Sequence, residues 1–97
     1  MFGKKPKGEL EVPPIATSNS QAVEVLRVWA IPGQPQQLTL RITWKDAGAW
    51  GLLLADVARH AANAYENEGQ NRAEVLARIR QLLDAEFSRP TDNPIQI

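Results

Sequence analysis

The longest run of helix-like spacing in this sequence lies between Asp46 and Gly69. Bulky apolar residues recur there every three or four positions, which places them on one face of a helix. The members of this apolar stripe are Trp50, Leu53, Leu54, Val57, Ala61 and Tyr65. Asp46 is placed to cap the start of this helix and Gly69 to end it. A second amphipathic helix is predicted near residues 72–88, with Asn71 as its N-cap and a stop before Pro90.

A second stripe on the first predicted helix consists of small residues. Its members are Gly51, Ala55, Ala58 and Ala62, which follow one another at helical spacing. Small side chains allow another backbone to approach closely. We therefore expect the last helix, or a second subunit, to dock on this stripe.

Upstream of these helices the pattern changes from helical spacing to strict alternation. Residues 37–45 alternate apolar and polar positions, which is typical of a half-buried β-strand. Residues 18–31 fit both a helical stripe and a strand, and we expect at most a helical turn near Ser20 and then a strand. The cluster Pro32-Gly33-Gln34-Pro35 supplies a turn between the two runs. The pattern therefore predicts a β-hairpin over roughly residues 23–44.

These elements predict an α+β domain of two layers, in which a β-hairpin packs on two antiparallel α-helices. The domain is expected to span residues 18–90. Residues 1–17 are rich in proline, glycine and lysine, so they are predicted to form a flexible tail, and residues 91–97 a short C-terminal tail. A chain of 97 residues has room for one modest core.

The first predicted strand carries apolar residues on both of its faces. If Leu26 and Val28 face the helices, a second apolar surface points the other way. An apolar second face on a small domain usually marks a contact surface. We therefore predict a homodimer in which two hairpins meet edge to edge across a two-fold axis and form a four-stranded sheet. The predicted interface residues are Val25, Arg27, Trp29 and Ile31.

A monomer is the alternative to this predicted dimer. In that case the N-terminal tail, with Val12, Pro13 and Ile15, would fold over the second face of the hairpin. A lone hairpin is marginal in water, so we expect it to pack on the helices and also to pair with another element along one edge.

Composition excludes several classes of function. Eleven Lys and Arg residues balance eleven Asp and Glu residues, so no long-range field recruits nucleic acid or anionic lipid. The absence of cysteine excludes disulfides, thiolate metal sites and cysteine nucleophiles. The sequence shows neither a membrane-length apolar run nor the apolar core of a signal peptide. We expect a soluble cytoplasmic protein with no nucleic-acid or membrane partner.

The sharpest candidate for a ligand site is a polar stripe on the first helix, formed by Asp56, His60 and Asn63. Residues four apart on a helix project side by side, and a carboxylate can orient an imidazole. Transition-metal sites normally need three or four ligands, however, and the chain has no second histidine. We predict no cofactor and no metal, because a lone histidine beside an apolar face is more often a hydrogen-bonded boundary residue.

The sequence contains neither a nucleophile elbow nor a phosphate-binding glycine loop. We therefore predict a non-enzymatic interaction or self-association module that uses the hairpin face. The alternative is a small-molecule or metal-binding domain, or an enzyme, that uses the Asp56, His60 and Asn63 stripe.

Several segments from about Glu9 onward resemble a family of short bacterial proteins catalogued only as a domain of unknown function. The segments are Leu26-Arg27-Val28-Trp29, Trp44, Trp50-Gly51 and Leu54-Ala55-Asp56-Val57-Ala58-Arg59-His60. Members of that group carry Asp-Pro before the Trp-Gly pair, whereas here Asp46 is followed by Ala47, which leaves the helix cap in place. The resemblance implies a bacterial, cytoplasmic protein, and it implies no activity, ligand or functional residue.

Overall fold

A computed structural model describes residues 6–91 and 93–97 of the chain. Its elements, in chain order, are α1 (Ile15–Ser18), β1 (Leu26–Trp29), β2 (Gln37–Leu40), α2 (Gly48–Asn67), α3 (Arg72–Ser88) and β3 (Ile95–Gln96). The predicted α+β class, with a hairpin and two long helices, is confirmed. Residues 1–5 of the predicted N-terminal tail and residue 92 of the predicted C-terminal tail lie outside the described residues.

The three strands form one sheet in the order β1-β2-β3, so β2 is the central strand. β1 and β2 are antiparallel, with Leu26 opposite Leu40 and Val28 opposite Leu38. Residues opposite each other in a ladder point to the same face. These four residues therefore form one surface, which we call the sheet apolar face. Arg27 and Trp29 of β1 lie on the other face of the sheet.

The third strand joins the sheet from the C-terminus of the chain. β3 runs parallel to β2, where the Ile95 N–H donates to the carbonyl of Gln36 at 2.7 Å and the Ile97 N–H donates to the carbonyl of Leu38 at 2.8 Å. The chain reaches this position after a turn at the end of α3, where the backbone N–H and the hydroxyl of Thr91 both donate to the Glu86 carboxylate. The described part of the predicted C-terminal tail thus adds a strand to the predicted hairpin.

Local capping explains the bounds of α2. The Gly48 N–H donates to Asp46 Oδ1 at 2.8 Å, so the side chain of Asp46 caps the start of the helix, as predicted. At the other end Gly69 has a φ of +98°, and the next N–H, that of Gln70, donates to the carbonyl of Tyr65. This arrangement is a Schellman motif, in which glycine adopts the left-handed conformation at low cost.

The two long helices pack on each other as a helical hairpin. Asn71 begins the second one, since its Oδ1 accepts a hydrogen bond from the Glu74 N–H at 3.0 Å. Ala62 of α2 is fully buried, and α3 is the element that packs against α2 among the described parts of the chain. Ala62 and the half-buried Ala58 belong to the predicted stripe of small residues, whereas Gly51 and Ala55 of that stripe are exposed. The last helix therefore docks on the C-terminal half of the predicted stripe.

The helical hairpin and the sheet are joined by a corner rather than by a packed interface. Over residues 6–91 and 93–97, Cα atoms closer than 8 Å join α2 to α3, β1 to β2 and β2 to β3, but no helix to any strand. At the corner, Trp44 and Trp50 stack edge to face with ring centroids 5.7 Å apart. The elements of the predicted two-layer fold are therefore present, but the predicted contact between hairpin and helices is not made inside one chain.

The isolated chain consequently exposes far more surface than a compact protein of its size. Its accessible surface is 8882 Å², whereas a folded monomer of 10.8 kDa is expected to expose about 5,500 Å². Its radius of gyration is 15.7 Å, against about 12.5 Å expected for a compact chain of this length. In the described parts of the chain, Ala62 is the single apolar residue that is fully buried. One chain alone does not close a hydrophobic core.

Candidate functional site

The N-terminal segment lies against β1 through an arginine held by two carboxylates. Arg27 Nη1 donates to Glu9 Oε2 at 2.8 Å, and Nη2 and Nε donate to Glu24 Oε2 at 3.1 and 3.2 Å. These hydrogen bonds, first those that Arg27 donates to Glu24 and then the one that it donates to Glu9, raise the pKa of Arg27. Any stabilisation of the folded chain by this raised pKa would be lost only as the pH rises through the pKa of Arg27. The guanidinium therefore stays charged throughout the neutral range.

A shallow groove runs beside this arginine. It is formed by residues 8–13 on one side and by β1 with its flanking residues on the other. Gly8 lies beside Trp29, since a Cβ atom built on it would lie 3.9 Å from Cζ3 of the Trp29 ring. Leu10 and Val12 of the same segment remain exposed. The N-terminal segment thus touches the Trp29 face of the sheet without burying its own apolar residues there.

The four predicted interface residues lie together along one strand and its two ends. Arg27 and Trp29 are inside β1, while Val25 precedes the strand and extends its pairing by accepting a hydrogen bond from the Arg41 N–H at 2.9 Å. Ile31 follows the strand and is 60% exposed, and Trp29 is 37% exposed. The prediction that these residues form an interface is not tested by a single chain and stays a prediction.

The predicted polar stripe of α2 is present, but two of its three members are engaged elsewhere. Asp56 Oδ1 lies 3.7 Å from Arg59 Nη1, and Asn63 Oδ1 accepts a hydrogen bond of 2.5 Å from Arg72 Nε. His60 is exposed on the same helix. Over residues 6–91 and 93–97, His, Asp and Glu side chains form no group of three able to hold a metal ion. A binding role for this stripe stays a prediction.

Sequence reasoning missed the two carboxylates that hold Arg27. Glu24 is three residues before the arginine, so the charge pattern of the strand entrance contained a local signal for that pair. Glu9 is 18 residues away, and nothing in the spacing indicates its contact. The sequence alone also gave no sign that the N-terminal segment would approach this face through Gly8.

The contact between Glu9 and Arg27 can be tested through proteolysis of the N-terminal segment. Glu9→Gln keeps the shape of the side chain but removes its charge, which weakens a charge-assisted hydrogen bond by about 1 kcal/mol. We expect trypsin to cleave after Lys7 about five-fold faster, because the segment leaves the sheet more often. Cleavage is followed by mass spectrometry. Glu11→Gln is the matched control, because the Glu11 side chain is exposed and forms none of the ion pairs found among residues 6–91 and 93–97. Equal cleavage rates in the two variants would show that the contact between Glu9 and Arg27 does not hold the N-terminal segment on the sheet.

Within residues 6–91 and 93–97, no helix is both long enough and apolar enough to cross a membrane. The model of a family described as a domain of unknown function (DUF5076) matches residues 9–91. Among proteins with curated functions, none matches the chain.

One solved structure that resembles the chain comes from the photosynthetic bacterium Rhodopseudomonas palustrus CGA009. It is described as that of a "putative pyruvate dehydrogenase". The two chains are 38% identical, the match covers 96% of this chain and 93% of the other, and the TM-score is 0.73. The second protein therefore has the same fold, and the activity named in its description refers to that protein alone.

Proposed function

We propose that this chain, which belongs to the family described as a domain of unknown function (DUF5076), acts as a non-enzymatic interaction module that self-associates as a homodimer through its hairpin. The observation that carries this proposal is the excess of surface on the isolated chain. The excess is about 3,300 Å² over a compact monomer. If a third of it were buried on each of two copies, the interface would total about 2,200 Å², which is in the range of obligate dimers.

The outer edge of β1 supports an interface at the hairpin. β1 lies at one side of the sheet, and within the described ranges its ladder hydrogen bonds run to β2 alone. An unpaired strand edge is a template for another strand. If β1 pairs with its copy across a two-fold axis, the two three-stranded sheets become one sheet of six strands rather than the four that the sequence predicts.

The side chains around that edge supply anchors for such an interface. Trp29 and Ile31 present apolar surface to solvent, and tryptophan is enriched among the residues that dominate binding energy. Arg27 is already held by Glu9 and Glu24, so it enters the interface with its charge compensated. The chain has no net charge, and therefore two copies approach without long-range repulsion.

The covered monomer receives less support. Gly8 and Glu9 reach β1, but Val12 and Ile15, which would have to cover the second face, are 48% and 59% exposed. The N-terminal segment is held to β1 by the ion pair between Glu9 and Arg27. It leaves the apolar surface of the second face open to a second copy.

The test is the solution mass of the full chain by light scattering, from low to high micromolar concentration. We expect a mass of twice 10.8 kDa that is stable on dilution, because an interface of obligate size dissociates only at low concentration. A mass of one chain at every concentration would overturn the proposal. An unchanged dimer mass in high salt is also expected, because apolar burial, unlike exposed ion pairing, is not screened.

A further inference from the structure

Two apolar surfaces of this chain lack cover, and they lie on different parts of the fold. The first is the sheet apolar face, formed by Leu26, Val28, Leu38 and Leu40. Val28 is 46% exposed, and in the described ranges no Cα atom of a helix lies within 8 Å of a Cα atom of these strands. A sheet of this kind is stable only when one face is packed against another layer.

The second uncovered surface is the apolar stripe of α2. α3 packs against α2 at the fully buried Ala62 and beside Tyr65, the last member of the bulky stripe, and it leaves other members of that stripe open. Leu54 and Val57 therefore remain about half exposed. The stripe has no charged member, and from Trp50 to Ala61 it extends about 16 Å along the helix. The four residues of a strand such as β1 extend about 13 Å, so the two surfaces match in length.

The corner between sheet and helices keeps these two surfaces apart within one chain. The connection from β2 to α2 is residues 41–47. It is fixed by the edge-to-face packing of Trp44 on Trp50 and by the hydrogen bond from the Gly48 N–H to Asp46. Moving the helices onto their own sheet would require this corner to open and its contacts to be lost.

We propose that the α2 apolar stripe of a second copy covers the sheet apolar face, so that each protomer packs its sheet on its partner's helices. This inference rests on the proposed homodimer. A second copy fits because the two surfaces are complementary to each other and occur on the same chain. Two-fold symmetry then covers both surfaces on both chains in one association. The surface excess of about 3,300 Å² per chain exceeds what this exchange needs, since obligate dimers bury about 2,000–5,000 Å² in total.

The test uses engineered cysteines, which are unique labels because the natural sequence contains none. Val28→Cys places a thiol on the sheet apolar face, and Val57→Cys places one on the α2 apolar stripe. The two single variants, one of them carrying a mass tag, are mixed, allowed to exchange subunits and treated with a short bismaleimide. We expect a cross-linked heterodimer, identified by its mass and by peptide mapping.

A matched pair controls for random collision. Leu52→Cys lies on α2 far from its apolar stripe, and this position is 72% exposed. Mixed with Val28→Cys, it is expected to give at most one tenth of the cross-linked product. Leu40→Cys with Leu54→Cys repeats the experiment on the same two surfaces, in case a variant at position 28 or 57 fails to fold.

Three outcomes would overturn the inference, and they are distinguishable. If a Val28→Cys/Val57→Cys double variant cross-links within one chain, the helices cover their own sheet. A dimer mass without cross-chain product from either cysteine pair would remove the exchanged packing and leave the proposed homodimer in place. A monomer mass at all concentrations would remove both.

Discussion

Replacing Trp29 with glutamate is expected to convert the proposed dimer into a monomer. Trp29 is the largest side chain at the open edge of the sheet, and it is 37% exposed in one chain. Glutamate would remove the aromatic anchor and place two like charges near the proposed two-fold axis, where the nearby Arg27 is already paired with Glu9 and Glu24. Loss of a central tryptophan typically weakens association by at least about 2–4 kcal/mol, a factor of roughly 30 to 1,000 in Kd. Light scattering and sedimentation velocity measure the change.

The control for this variant is Leu52→Glu. It makes the same kind of exchange, from an exposed apolar residue to glutamate, but on the outer surface of α2. We expect it to remain a dimer. If Trp29→Glu remains a dimer as well, the hairpin is not the interface. Circular dichroism of both variants separates loss of association from loss of folding.

The substitution Ala62→Leu is expected to cause the largest loss of stability within one protomer. Ala62 is fully buried where α2 meets α3, and three added heavy atoms would force the helices apart. Overpacking of this kind costs about 1–3 kcal/mol, a large share of the 5–15 kcal/mol that holds a typical domain together. Urea denaturation followed by circular dichroism at 222 nm measures the change in the free energy of unfolding.

The matched control is Ala77→Leu, which makes the same change on the exposed surface of α3. Because its side chain points away from α2, we expect a change within about 0.5 kcal/mol. Equal destabilisation by the two variants would show that helix packing does not depend on the stripe of small residues. Both are measured at one protein concentration, since the stability of a dimer depends on it.

The helices were predictable because their ends are specified by nearby residues. Asp46, Gly69 and Asn71 each act through hydrogen bonds within a few positions, and the predicted bounds of α2 and α3 agree with the observed ones to about one residue. The strand β3 was not predictable, because it is two residues long and its partner β2 lies more than fifty positions earlier in the chain. Periodicity identifies an apolar face but does not say which element, or which copy of the chain, covers it.

The candidate site shows the same division between local and distant information. Alternation along β1 placed Arg27 and Trp29 on one face, and the register with β2 bears this out. The partners of the polar stripe on α2 were less accessible to pattern reasoning. The spacing suggested a pairing of Asp56 with His60, but Asp56 Oδ1 lies 3.7 Å from Arg59 Nη1, and Asn63 accepts a hydrogen bond from Arg72 of the next helix. The partners that a long side chain reaches depend on which other elements lie nearby in the folded chain. Spacing along one helix carries no information about those elements.

The addition of β3 to the sheet has a consequence for how many copies can assemble. A sheet with two long open edges can grow without limit by adding strands, as in a fibre. Here the edge beyond β2 is occupied by β3, a strand of two residues. Pro94, immediately before it, has no N–H to offer a further strand. So short an edge strand is a poor template for the addition of further strands. If two copies associate through the opposite edge, at β1, as proposed, β3 would therefore keep the combined sheet from adding further copies.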